Sequence, residues 1–248
     1  MPTEIRTVGV LGGGVMGSGI AQALAVGGFL VALRDLSQEL IDKARAAIVD
    51  GRYGLKRGVE RGKTTQEQAD AALANLSFTI EVDDLRDVDL LIEAVPEDLA
   101  LKKSAFAQAD RIVQPQAIFA SNTSGFAIAD LSQAVGRRDR FLGAHWFSPA
   151  PVMKLVELTY TPETAEEAIR ALEALCQKAG KVSIRVKDSP GRYGFVANRI
   201  YLAAVSEAQK VLEDGIASLE DINKAMVYGY NWPVGPLAML EQVRKGWQ

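Results

Sequence analysis

One side chain in this sequence is of the type most often used to accept a proton near neutral pH: His145, the single histidine among 248 residues. It stands in Phe141-Leu-Gly-Ala-His145-Trp-Phe-Ser-Pro-Ala-Pro-Val-Met-Lys-Leu-Val-Glu157, where two apolar runs flank a pair of prolines. Proline interrupts a strand ladder, so the pattern reads as strand, turn, strand, with His145 ending the first strand and Glu157 on the second. If the turn folds the strands side by side, the carboxylate holds one imidazole nitrogen while the other faces a substrate proton. The same residues also describe a half-buried histidine satisfied by a structural glutamate, and the segment alone does not separate the two.

A second group of residues is suited to phosphate. Gly12-Gly-Gly14-Val15-Met16-Gly17 follows the apolar run Thr7 to Leu11, opens a helical pattern from Ser18 to Val26, and is succeeded by a strand from Phe29 to Leu33 that ends at Asp35. In that setting the glycines predict a dinucleotide turn. Gly12 permits the tight turn, Gly14 lets a pyrophosphate approach the backbone, and Gly17 lets the helix pack close to the sheet. The first amides of the helix then face the phosphate charge. Asp35 is placed to accept hydrogen bonds from the adenosine ribose and to repel a 2′-phosphate, which favours NAD over NADP. Arg34 would admit a phosphate if it turned toward the ribose, whereas alternation along the strand points it away.

Lys56 and Arg57 open a basic run that extends to Lys63. It reads either as a solvated helix end complementing the helix dipole or as cations for the phosphates of a large anionic substrate. One histidine and one distant cysteine, Cys176, exclude a structural zinc site.

The elements that must position these residues are strands and helices in alternation. After Asp35 the pattern is helical from Ser37, a predicted N-cap, to Asn75, with a fresh helix start at Thr64 to Glu67. Apolar runs then recur at Phe78 to Val82, Val88 to Val95, Ala117 to Ala120, Phe141 to Ala144, Leu155 to Tyr160 and Val182 to Val186, with a helix from Glu163 to Ala179 before the last. Near-continuous apolar strands between helices predict a doubly wound, mostly parallel α/β sheet of Rossmann type covered on both faces. Ligands then sit at the carboxyl ends of the strands, where Glu93, Ala94, Glu97, Ser121 to Ser124 and His145 fall. Beyond Lys187 the pattern is all helical: Phe195 to Glu213, Ser218 to Tyr228, and a third helix from Leu237. The expected domains are therefore 1–187, nucleotide-binding, and 188–248, a small helical domain.

The composition, 48% hydrophobic and 24% charged with net charge −3, suits a globular protein and gives no basic surplus for nucleic acid. A single cysteine cannot form an intrachain disulfide. Met1-Pro-Thr-Glu-Ile-Arg carries no signal-peptide pattern and no apolar run approaches the roughly 18 residues of a membrane span. A cytoplasmic protein with no membrane or nucleic-acid partner is expected. There is no internal repeat or low-complexity segment.

Several of these motifs, in this order, resemble the L-3-hydroxyacyl-CoA dehydrogenase family: the glycine turn continuing through Ser18-Gly-Ile-Ala21, Glu93-Ala-Val-Pro-Glu97, Ser121-Asn-Thr-Ser124, His145 through Glu157, Asn198-Arg199, and Gly229-Tyr-Asn-Trp-Pro-Val-Gly-Pro236. The likeness spans nearly the whole chain. It implies an NAD-dependent oxidoreductase of fatty acid β-oxidation type, converting a 3-hydroxyacyl-CoA to the 3-oxoacyl thioester. By resemblance His145 is the general base, Glu157 its orienting carboxylate, and Ser124 and Asn198 the groups that fix the substrate oxygen. The implied NAD contacts are Gly12, Gly14, Val15, Met16, Gly17, Asp35, Ala94, Glu97, Lys103, Ser124 and Ser148, and the basic cluster at Lys56 and Arg57, which has no residue-by-residue match in the family pattern, becomes a candidate for the phosphates of CoA. The helical domain implies a homodimer. A related dehydrogenase of a small hydroxy acid without CoA, or a nucleotide-binding protein without turnover, would use the same fold. Three features depart from the family pattern: Ser148 stands where Asn is usual, Arg192-Tyr193-Gly194 is extra within a Pro-Gly-Phe-x-x-Asn-Arg type of segment, and the sequence ends at Gln248, one or two helices early, which implies a more open substrate pocket.

Overall fold

The computed structural model describes residues 4–244, with side chains to 241; the expectations about the first residues and the chain end lie outside them. The chain divides after Tyr193 into two compact units. The first contains β1 (Thr7–Leu11), α1 (Val15–Val26), β2 (Leu30–Arg34), α2 (Gln38–Asp50), α3 (Leu55–Glu60), α4 (Gln66–Ala74), β3 (Leu76–Thr79), β4 (Leu90–Glu93), α5 (Leu99–Asp110), β5 (Ile118–Ser121), α6 (Ile128–Ser132), β6 (Phe141–Trp146), β7 (Leu155–Tyr160), α7 (Glu166–Lys178) and β8 (Val182–Lys187). The second contains α8 (Val196–Glu213), α9 (Leu219–Tyr230) and α10 (Pro236–Arg244).

The eight strands form one sheet in the order β3-β2-β1-β4-β5-β6-β7-β8. All neighbours are parallel except β6 and β7, which the proline turn makes antiparallel. This is the expected doubly wound, mostly parallel sheet. The central strands β4, β5 and β6 are buried along their whole length, as expected where helices cover both faces. Val8, Val10, Leu33, Leu90 and Leu142 are fully buried, and Ile20 and Leu24 of α1 pack into the same core. On that sheet the chain winds outward from β1 through β2 to β3 and then returns to β4, so the crevice of the fold opens between β1 and β4.

Local signals place the helix starts. Ser37 accepts from the Leu40 amide at the head of α2, and Thr65 and Gln68 cap α4 reciprocally. One expected strand lies elsewhere: β3 runs from Leu76 to Thr79, not from Phe78 to Val82. Its partner β2 ends at Arg34 opposite Thr79, leaving no ladder for residues 80–82, and Val82 is buried instead by a 3₁₀ turn from Val82 to Leu85. The unit boundary also falls later than 187, because residues beyond β8 still bond back to the first unit: Asp188 accepts from the Ala129 amide at 2.8 Å. In the second unit Ser218 caps α9 and Asn231 ends it in the left-handed region. The core of this unit is small, centred on Ala208, Ile222 and Leu237.

Candidate active site

Hydrogen-bond register brings the carboxyl ends of three strands into one row, with Leu11 beside Glu93 and Glu93 beside Ser121, and sets Ser121 beside Gly143 within β6. His145 stands two residues further along β6. The antiparallel ladder sets it directly opposite Glu157 on β7. Its Nδ1 lies 2.8 Å from Glu157 Oε2, with the histidine side chain 5% exposed and the glutamate 0%. Such a carboxylate fixes the tautomer of the imidazole by accepting from Nδ1–H. The Phe147 ring leans on His145 with centroids 4.5 Å apart. Asn122 Oδ1 accepts from the Trp146 amide at 2.9 Å, which ties the loop after β5 to the end of the histidine strand.

The glycine turn occupies the crevice between β1 and β4. Gly12 has φ 95°, and a Cβ there would come within 2.7 Å of the Ala94 carbonyl oxygen, so both conformation and space require glycine. A Cβ on Gly17 would run into the Gly12 carbonyl, which is the close approach of α1 to the turn. Gly14 is different: nothing lies within 4 Å of the side chain it lacks. That open face at the N-cap of α1 leaves room for a pyrophosphate, beside first-turn amides that have no acceptor inside their own helix. Val15, the first helical residue, is 72% exposed at the same place. Asp35 stabilises the turn, its Oδ2 accepting from the Gly13 amide at 2.6 Å and its Oδ1 from the Leu36 amide at 2.7 Å. The residues therefore fit a dinucleotide. Arg34 donates through Nε to the Ile80 carbonyl at 3.1 Å.

A third cluster links β4 to the loop after β5. Glu93 is fully buried, and its Oε1 accepts from Lys102 Nζ at 2.7 Å and from the Val95 amide at 2.8 Å, while Oε2 accepts from Ser121 Oγ at 2.6 Å. Lys102 Nζ also reaches Glu97 Oε2 at 3.1 Å and the Val95 carbonyl at 3.2 Å. Glu97 Oε1 in turn accepts from Thr123 Oγ1 at 2.6 Å, the Ser124 amide at 2.9 Å and Ser124 Oγ at 3.2 Å. Burial pushes the Glu93 carboxyl above its ordinary value, outweighing Lys102 and its hydrogen bonds. Burial works the same way on Glu97, but there Thr123, the Lys102 charge and the Ser124 amide prevail and hold the carboxyl below its ordinary value. The lysine in contact with Glu97 is thus Lys102. Lys103, the residue expected among the cofactor contacts, is its half-buried neighbour on α5. Lys102 escaped the sequence reading although a signal existed: it continues the buried stripe of α5 formed with Phe106 and Ala109.

Among the remaining expected residues, Ser148 is half-buried in the turn between β6 and β7, and Ala94 follows β4 with its amide on the Leu11 carbonyl at 2.8 Å. Lys56 and Arg57 are exposed on α3, paired with Asp50 at 2.6 Å and Glu60 at 2.7 Å. Asn198 lies in the first turn of α8, in the helical unit.

The sequence profile of the family described as "3-hydroxyacyl-CoA dehydrogenase, NAD binding domain" matches residues 7–189, and that of the corresponding C-terminal domain matches residues 194–247. The chain belongs to the 3-hydroxyacyl-CoA dehydrogenase family. It is 41% identical over 245 residues to a 3-hydroxybutyryl-CoA dehydrogenase of Mycobacterium tuberculosis, covering 98% of this chain and 84% of that one. It is 38% identical over 242 residues to the mitochondrial hydroxyacyl-coenzyme A dehydrogenase of Rattus norvegicus, covering 96% and 76%. Among solved structures it is similar to an (S)-3-hydroxybutyryl-CoA dehydrogenase from Ralstonia eutropha, with a TM-score of 0.91, 42% identity, and coverage of 97% of this chain and 83% of that one. The chain thus carries an NAD-binding domain of this dehydrogenase family, in the unit that holds the glycine turn. No helix among the described residues is long and apolar enough to cross a membrane.

Proposed function

We propose that the protein oxidises 3-hydroxyacyl-CoA thioesters to 3-oxoacyl thioesters, reversibly, with NAD as hydride acceptor. The observation that carries this reading is the buried His145–Glu157 pair at the strand ends beside a dinucleotide crevice, in a chain of this family. NAD, when bound, supplies the electrophilic ring that takes hydride from the carbinol carbon. The protein's own part is proton transfer and positioning. His145 takes the hydroxyl proton at Nε2, and Glu157, accepting from Nδ1–H, holds the tautomer and stabilises the imidazolium that forms. In the reductive direction that imidazolium returns the proton. Ser124 serves the reacting oxygen and the nicotinamide end of the cofactor, Glu97 and Lys102 shape the same loop, and Ser148 lines the turn beyond His145. Asn198 is assigned as a further substrate contact on the family resemblance alone.

Lys56 and Arg57 are assigned to the phosphates of CoA: their present ion pairs are exposed, such pairs are worth little, and a phosphate can replace either carboxylate. A homodimer through the helical unit is supported by the apolar side chains it exposes, with Ile200 65%, Tyr228 83% and Tyr230 76% accessible. A cytoplasmic location is supported by the single cysteine, Cys176, which leaves no intrachain disulfide to favour an oxidising compartment.

The test is a substrate panel on the purified protein. Formation of NADH from NAD and 3-hydroxybutyryl-CoA is expected, with NADP a much poorer acceptor because of Asp35. Turnover of free 3-hydroxybutyrate but not of its CoA ester would replace this reading by a dehydrogenase of small hydroxy acids. Binding of NAD without turnover of either would replace it by a nucleotide-binding protein.

A further inference from the structure

The extra residues of the Pro-Gly-Phe-x-x-Asn-Arg segment fold back onto the active-site loop. Gly191 at φ 81° and Gly194 at φ 83° both occupy the left-handed region, where an L side chain would be strained, and they bracket Arg192 and Tyr193. The segment is anchored just upstream, where Asp188 accepts from the Ala129 amide at 2.8 Å and from the Ser189 amide at 3.0 Å. Its product is the placement of Tyr193. The phenol oxygen lies 2.8 Å from Ser124 Oγ. The ring lies flush on buried Gly125, so close that any Cβ there would overlap three of its atoms. The seat is specific to this ring, although Tyr193 itself is 59% exposed.

We propose that Tyr193 is a positioning residue for Ser124, a proposal that rests on the reading that Ser124 serves the reacting ligands. A serine hydroxyl has one proton and two acceptor positions. Glu97, with its carboxyl held below the ordinary range, is acceptor only, so the proton on the Ser124–Glu97 bond is the serine's. Tyr193 then donates to Ser124 Oγ. That donation does two things. It fixes the serine rotamer, which the 3.2 Å bond to an oxygen already taken by Thr123 and the Ser124 amide holds only weakly. It also polarises the serine hydroxyl, making it a better donor when it turns to a ligand oxygen, because hydrogen bonds in a chain strengthen one another.

The experiment is a double-mutant cycle on kcat with 3-hydroxybutyryl-CoA, read together with the Kd for NAD from protein fluorescence. Tyr193→Phe keeps the ring on Gly125 and removes only the phenol oxygen, so kcat should fall about 5–10-fold, the value of one hydrogen bond, while KM and the NAD Kd stay within about twofold. Ser124→Ala should lower kcat further, and adding Tyr193→Phe to it should cost nothing more. Gly125→Ala, which evicts the ring, should reproduce the loss seen in Tyr193→Phe. An unchanged kcat in Tyr193→Phe, or independent, multiplicative losses in the double variant, overturns the proposal and leaves the role of Ser124 standing. An unchanged kcat in Ser124→Ala overturns the reading of Ser124 and this proposal with it.

Discussion

Two carboxylates, Glu93 and Glu157, are fully buried at the same edge of the sheet, and they are matched by different partners. Glu93 faces Lys102, whose three protons are spoken for by Glu93, Glu97 and the Val95 carbonyl. That cage fastens the exit of β4 to the start of α5. Glu157 faces an imidazole, the side chain most often used as a general acid and base. One site therefore fixes backbone and the other can move a proton. Buried charge by itself does not mark chemistry; a partner able to change its own charge does.

The largest expected effects break this contrast if it is false. His145→Gln should preserve the fold and the NAD Kd while lowering kcat by about 10²–10⁴-fold, the usual worth of general-base assistance. Steady-state kinetics and a thermal melt on the same sample check both halves. A variant that melted early with its rate intact would reduce the pair to structure. Lys102→Met should do the reverse. It leaves Glu93 buried without its cation, and breaking such a pair costs about 3–5 kcal/mol. Urea denaturation should show a lower midpoint with little change in slope. Full stability with lost cofactor affinity would mean that Lys102 is held for the ligand and not for the fold.

How much of this could be read in the sequence follows from how local each site is. The glycine turn was legible because strand, glycines and helix start adjoin, so that Gly12, Gly14 and Gly17 state their jobs within six positions. His145 and Glu157 were legible because a short proline turn between antiparallel strands leaves few registers, and the observed one sets them face to face. The Glu93 cluster joins β4, α5 and the loop after β5, whose meeting depends on sheet order. Adjacent lysines on α5 point about 100° apart, from 3.6 residues per turn, so seeing that Lys102 joins the Glu93 cluster requires knowing which way the helix is turned. Tyr193 was visible as an extra residue, but where two left-handed glycines send it is a property of the fold.

The smallest expected effect concerns pH and sharpens the contrast from the other side. The Glu97 carboxyl is held below its ordinary value of 4.5 in the folded protein. A depressed carboxylate contributes stability that is complete above the unfolded value and is lost as pH falls through the folded one. Glu97→Gln lacks that contribution, so the parent should be the more stable at neutral pH and the difference should shrink below about pH 4.5. Glu93 acts with opposite sign, because its raised carboxyl favours the folded state as acid protonates it. Both proteins retain Glu93, so its effect largely cancels in the comparison. Denaturation curves for the pair between neutral and strongly acid pH measure the difference. A gap that stays constant into acid would mean that what the glutamine lacks does not depend on ionisation, and that the negative charge beside Ser124 has no part in the stability of the fold.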